Sequence, residues 1–155
     1  EFARSKQVIS YLAEATDQVN KTHSDFILDV ISQNMGIGEA VGVLGLSYKP
    51  GTPVIEELFS LTMIYALLES KHSIYVYDKF AMDNAREIFQ DAIHYSENIE
   101  NILLNCQMMI IATSDKEFQV LPELLAYSKG KTIIDIWRIF DENIFDGHTY
   151  IGIGS

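Results

Sequence analysis

The sequence holds one cysteine, three prolines and one tryptophan in 155 residues. A single thiol, Cys106, excludes an internal disulfide framework, so the fold has to rest on a buried core. A chain of this size can supply one, since it hides roughly 68–70% of the surface that its unfolded form exposes. The histidines stand apart at positions 23, 72, 94 and 148, and neither they nor Cys106 form a group with the spacing of a zinc site. Basic residues are also scarce: 11 Lys and Arg face 22 Asp and Glu, a net charge of −11, and the few cations do not cluster. Nucleic acids and anionic membranes are recognised through a basic footprint, so neither is expected as a partner. An anionic small ligand remains compatible, held by a few locally placed cations. No apolar run approaches the about 20 residues of a membrane span, and no secretory leader is visible. The expectation is a cytoplasmic chain.

Glycine and proline are missing altogether from residues 1–35. Apolar residues recur there at Val8, Leu12, Ala15, Val19, Phe26 and Val30, the period of one long amphipathic helix. About 30 helical residues would span roughly 45 Å, more than the width of a small domain. Two readings follow. In one the helix breaks near residues 22–24 and folds back as a hairpin. In the preferred one it connects domains or buries its stripe against a second copy. Gly36 and Gly38 end it in a short linker, which gives a division into a helix over 1–36 and a domain over 37–155.

Beyond the linker, apolar runs at 40–46, 73–77, 108–112, 132–136 and 150–153 alternate with helical segments at 56–70, 81–90, 97–104 and, more weakly, 118–127. Residues 92–95 offer an extra short strand. The first runs are apolar on both faces, as in parallel strands covered by crossover helices. The predicted fold is therefore α/β: a Rossmann-like, open, mainly parallel sheet with helices on both faces, preceded by a long α-helix.

In such sheets ligands bind beyond the carboxyl ends of the strands. The first strand-to-helix connection reads VGVLGLSYKPGTPVIEE. Its glycines, Gly42, Gly45 and Gly51, do not follow G-x-G-x-x-G, and Lys49 is not set in a Walker loop, so neither phosphate motif is present. What remains is Lys49 beside Tyr48, among backbone amides able to meet a phosphate or ribose; a solvated lysine at a strand end is the plainer alternative. Asp78, ending the second strand, occupies the place where an acid can take a ribose hydroxyl, or else it starts a turn. Asp135 and Arg138 end a later strand in IIDIWRIF. The Arg can grip phosphate or carboxylate and Trp137 offers a stacking surface, unless Arg138 only pairs with Asp135 or Asp141. Cys106 has no cationic neighbour in sequence and reads as a small buried hydrophobe. No nucleophile elbow is recognisable.

The succession VGVLGLSYKPGT, VYD, FAMDNAREIF, MMIIAT, IIDIWRIFDE and YIGIG resembles the C-terminal domain of the UDP-glucose/GDP-mannose dehydrogenase family, and VNKTH at 19–23 resembles an element of that family's central helix. The resemblance covers nearly the whole chain. It implies that Tyr48 and Lys49 contact the ribose and phosphates of a UDP-sugar. For Arg138, which falls one position after the Arg of the family's D-G-R-N, it implies a place at the substrate or at the neighbouring subunit's active site. It further implies a homodimer through the first helix. The chain would be a fragment of an NAD-dependent nucleotide-sugar 6-dehydrogenase that oxidises a sugar C6 hydroxyl to a carboxylate. The NAD-binding domain and catalytic Cys of that enzyme are absent here, so no cofactor, no metal and no catalytic residue are expected in these residues. Residues 52–59 depart most from the family, with T-D-D-x-R-E-S-P replaced by TPVIEELF. A noncatalytic nucleotide-binding or regulatory module is the competing reading. A receiver domain is excluded because the first strand does not end in paired acids.

Overall fold

A computed structural model describes residues 11–47, 49–55 and 59–154, without the side chains of residues 12, 13 and 17. The chain divides into two compact units, Glu1–Gln33 and Asn34–Ser155. Helix α1, Tyr11–Asn34, about 36 Å long at 1.5 Å per residue, accounts for the described part of the first unit and ends one residue beyond it. It runs unbroken through residues 22–24, where Thr22 and Ser24 turn their hydroxyls back onto the carbonyls of Gln18 and Asn20 at 2.9 and 3.0 Å. Of the apolar stripe, Ala15, Val19 and Phe26 are exposed and Val30 is half-buried. Val8 and the side chain of Leu12 lie outside the described residues.

The second unit is a six-stranded, all-parallel sheet, with β1 at Val41–Leu44, β2 at Ile74–Tyr77, β3 at His94–Tyr95, β4 at Met108–Ile111, β5 at Thr132–Asp135 and β6 at Thr149–Gly152. Its order is β3-β2-β1-β4-β5-β6, the doubly wound arrangement in which the chain reverses direction between β1 and β4. The extra short strand is β3, at one edge. Helices α2 (Phe59–Glu69), α3 (Met82–Phe89), α4 (Ile99–Asn105) and α5 (Leu121–Leu125) make the crossovers. The described part of α2 begins three residues after the expected start, because residues 56–58 lie outside the description.

The two central strands, β1 and β4, are buried at every residue, which is why VGVL and MMII carry no polar alternation. One face packs Ile102 and Leu103 of α4 with Phe118, Leu121 and Leu125 against Leu44, Met109, Ile111 and Ile133. Each such side chain contributes roughly 1.5–3 kcal/mol. Gly42 is required here: a Cβ at that position would lie 2.2 Å from Ile102 Cγ2. Helix α4 starts at Asn98, whose side chain accepts the Asn101 N–H at 2.8 Å, a cap worth about 1 kcal/mol. Pro122 sits in the first turn of α5, where the missing N–H costs nothing. Among the described residues, no helix is long and apolar enough to cross a membrane.

Candidate nucleotide-binding edge

The reversal between β1 and β4 opens at the carboxyl edge of the sheet, where the chain leaves each strand toward the next helix. Register carries residues 45–47, 78, 112–114 and 135–138 to this one edge. Tyr48 lies outside the described residues. Lys49 is exposed, in the turn that Thr52 N–H closes on the Lys49 carbonyl at 3.2 Å. Arg138 leaves the end of β5, two strands from β1, or about 10 Å at the spacing of neighbouring strands.

The loop after β1 is held by its neighbour. Gly45 N–H donates to the Tyr77 carbonyl at 2.8 Å. The next two amides, Leu46 and Ser47, both donate to Asp78 Oδ2, at 2.8 and 3.0 Å. The other carboxylate oxygen, Oδ1, takes the N–H groups of Phe80 and Ala81 at 2.8 and 3.0 Å. Burial pushes this carboxyl up, but the four backbone hydrogen bonds outweigh it and hold Asp78 below its ordinary value. A carboxylate has about four acceptor positions, and all four are taken, so Asp78 has none left for a ribose hydroxyl. Of the two readings of Asp78, the turn is the one the structure shows, and the same carboxylate also anchors the loop after β1. The amides of residues 45–47 are committed to Tyr77 and Asp78.

Gly45 has φ +92°, and a Cβ there would lie 2.1 Å from Thr113 Oγ1. The glycine thus lets the loops after β1 and β4 touch, and it faces a protein side chain. The Thr113 hydroxyl is buried and has no hydrogen-bond partner among the described residues. Nearby, the Tyr77 hydroxyl donates to Glu117 Oε2 at 3.1 Å. Burial and the Glu117 carboxylate push Tyr77 up to about 12, and burial is the main cause that raises Glu117.

At the end of β5 a second carboxylate repeats the device. Asp135 is fully buried. Its Oδ1 accepts Trp137 N–H at 3.1 Å, and its Oδ2 accepts Phe140 N–H at 3.2 Å and the Tyr150 hydroxyl at 2.9 Å. Burial and the bonded carboxylate raise Tyr150 above its ordinary value. The loop then sends successive side chains to opposite sides. Trp137 turns toward β4, its indole N–H donating to the Ala112 carbonyl at 2.8 Å. Arg138, in a left-handed conformation with φ +49°, lies toward β6. A Cβ on Gly152 would be 3.2 Å from the Arg138 Cγ and Nε. Its guanidinium is 3.4 Å from both the Gly154 carbonyl and Glu142 Oε1. The partner is thus Glu142 rather than Asp135 or Asp141. Arg138 lines an open hollow of about 740 Å³ that it shares with Asp141 and Glu142; two carboxylates beside one guanidinium do not make a field that draws phosphate.

Cys106 is buried at the amino end of β4, away from this edge, and burial pushes its thiol up to about 12. No group of three His, Cys, Asp or Glu placed to hold a metal ion exists among the described residues. The anchoring role of Asp78 had one legible signal, an aspartate ending a strand just before a helix. The Gly45–Thr113 contact had none, because it joins residues on separate strands.

Comparison with known proteins places this edge in context. The profile of the UDP-glucose/GDP-mannose dehydrogenase family, UDP binding domain, matches residues 42–142. The chain is 32% identical over 138 residues to UDP-glucose 6-dehydrogenase of Haloferax volcanii, covering 88% of this chain and 32% of that protein. It is 28% identical to UDP-glucose 6-dehydrogenase of Rickettsia bellii, covering 98% of this chain and 37% of the other. It is also similar to the structure of a UDP-glucose dehydrogenase from Pyrobaculum islandicum, at 27% identity and a TM-score of 0.79, over 97% of this chain and 34% of that one. The chain therefore spans about a third of the length of the relatives it matches.

Proposed function

We propose a function from one premise: the chain belongs to the UDP-glucose/GDP-mannose dehydrogenase family. On this reading residues 37–155 bind the UDP portion of a nucleotide sugar at the carboxyl edge of the sheet, and residues 1–36 form the central helix. Lys49 attracts the phosphates and Tyr48 contacts the ribose, while Arg138, turned toward β6 and paired with Glu142, is left without a phosphate contact. The observation that carries the reading is the loop over residues 45–47, anchored on Tyr77 and Asp78 at the β1–β4 reversal and lying within the matched residues. A fixed stretch of backbone just ahead of Lys49 lowers the ordering cost of binding there.

The family resemblance extends the proposal to an NAD-dependent 6-dehydrogenase acting in the cytoplasm in polysaccharide biosynthesis. The residues present do not fit the dinucleotide itself: the glycine spacing is wrong, amides 45–47 are occupied and Asp78 is saturated. These residues bind substrate and take no part in hydride transfer, and Cys106, buried with a raised pKa, is no nucleophile. Calorimetric titration of the chain with UDP, UDP-glucose, GDP-mannose and NAD tests the reading. UDP is expected to bind weakly and NAD not at all. NADH production by the pure chain, or tighter binding of NAD than of UDP, would overturn it.

The same reading makes the chain a homodimer through residues 4–34. Val19 and Phe26 are 66% and 52% exposed, and a second copy related by a two-fold axis would cover that stripe. Light scattering should report a dimer at micromolar concentration that Val19→Glu with Phe26→Glu dissociates; a monomer for the unaltered chain rejects this part.

A further inference from the structure

The loop after β5 holds a large aromatic ring in a fixed place without burying it. Trp137 is 58% exposed, so core packing does not account for its position. Yet it is tied at two points, its backbone N–H to the buried Asp135 carboxylate at 3.1 Å and its indole N–H to the Ala112 carbonyl at 2.8 Å. The residue that follows adopts φ +49°, a left-handed conformation unfavourable for a side chain that is neither Asn nor Gly. The turn accepts that strain and sends Trp137 to the β4 side and Arg138 to the β6 side. Ala112 is the residue before Thr113, whose unpartnered, buried hydroxyl lies against Gly45. The pinned ring therefore stands on the side of its loop that faces the β1–β4 reversal, where a doubly wound sheet receives its ligand.

We infer that Trp137 is the platform on which the flat nucleobase of the bound nucleoside diphosphate stacks, which makes it a determinant of affinity for the base as distinct from the phosphates. The inference rests on the nucleotide-binding reading above and assigns one residue within it. An aromatic face recognises any base by its π surface. The tie to Ala112 fixes the ring beforehand, so little rotamer freedom is lost when the base arrives.

Trp137 is the sole tryptophan of the chain, so its fluorescence reports directly on the platform. UDP should quench it, while inorganic pyrophosphate, which has the charge and lacks the base, should not. By calorimetry, Trp137→Leu should weaken UDP about tenfold, as expected for loss of one stacked ring, and leave pyrophosphate binding unchanged. Trp137→Phe, which restores a ring without the indole N–H, should recover part of the loss. UDP binding that is calorimetrically normal in Trp137→Leu and silent in the fluorescence of the unaltered chain overturns the inference and leaves the UDP-binding reading standing. Absence of UDP binding to the unaltered chain overturns both.

Discussion

Replacing Asp78 with asparagine is the sharpest test of how the carboxyl edge of the sheet is built. The asparagine side chain has nearly the same shape, with one oxygen exchanged for an amide that donates. Four backbone N–H groups converge on the present carboxylate at 2.8–3.0 Å. Whichever way the amide turns, two of them meet an NH2 group. Hydrogen bonds to a charged group are worth about 1.5–3 kcal/mol each, so losing two costs about 3–6. Removing a buried charge returns part of this, and a net loss of about 3 kcal/mol is expected. At an m-value of about 2 kcal/mol per molar in urea, the midpoint should fall by about 1.5 M.

The acid side of the stability curve gives an independent readout. The folded pKa of Asp78 lies below its unfolded value, so the folded state favours the ionised form. The stability it adds is complete above the unfolded pKa of about 3.9 and is lost as pH falls through the folded pKa. Asp78→Asn should therefore flatten the acid limb below about pH 4 while lowering stability at pH 7. An unchanged urea midpoint together with an unchanged acid limb would show that the loop does not depend on this carboxylate.

Three further outcomes are expected. Gly45→Ala should destabilise the chain by about 2–5 kcal/mol, combining the left-handed penalty with the clash at Thr113; a urea midpoint within error of the parent would contradict it. Lys49→Ala should weaken UDP about tenfold, as loss of a charge-assisted contact predicts, with little change in thermal stability, and equal affinities by calorimetry would return Lys49 to the role of a solvated strand-end residue. Cys106, with its thiol raised to about 12 by burial, should resist a thiol reagent at pH 8 until urea unfolds the chain, so prompt labelling of the native protein would count against that burial.

The fold was readable because its central strands are apolar on both faces and its crossovers carry turn residues at the right places. Even the two-residue strand at His94–Tyr95 showed as a short run between helices. The site was readable only as a neighbourhood. Sequence places Asp78 at a strand end, but four donors come to it from two loops, one of them more than thirty positions away in the chain. Likewise Trp137 and Arg138 are adjacent letters, and nothing in their spacing foretells that a left-handed turn sends one toward β4 and the other toward β6. Glu142 became the partner of Arg138 because the short helical turn at Glu142–Ile144 brings it back beneath the guanidinium.

The Asp135 carboxylate grips its loop chiefly through main-chain N–H groups, those of Trp137 and Phe140. Every amino acid except proline offers that same handle. The exposed side chain of Trp137 is thus not what holds the main chain to Asp135, whereas Ile139 packs against the core and Arg138 is held in a left-handed conformation. An exposed side chain on a backbone held in this way can be replaced with little toll on foldedness. An engineer testing the proposed role of this loop would vary Trp137 first and leave Asp135 untouched.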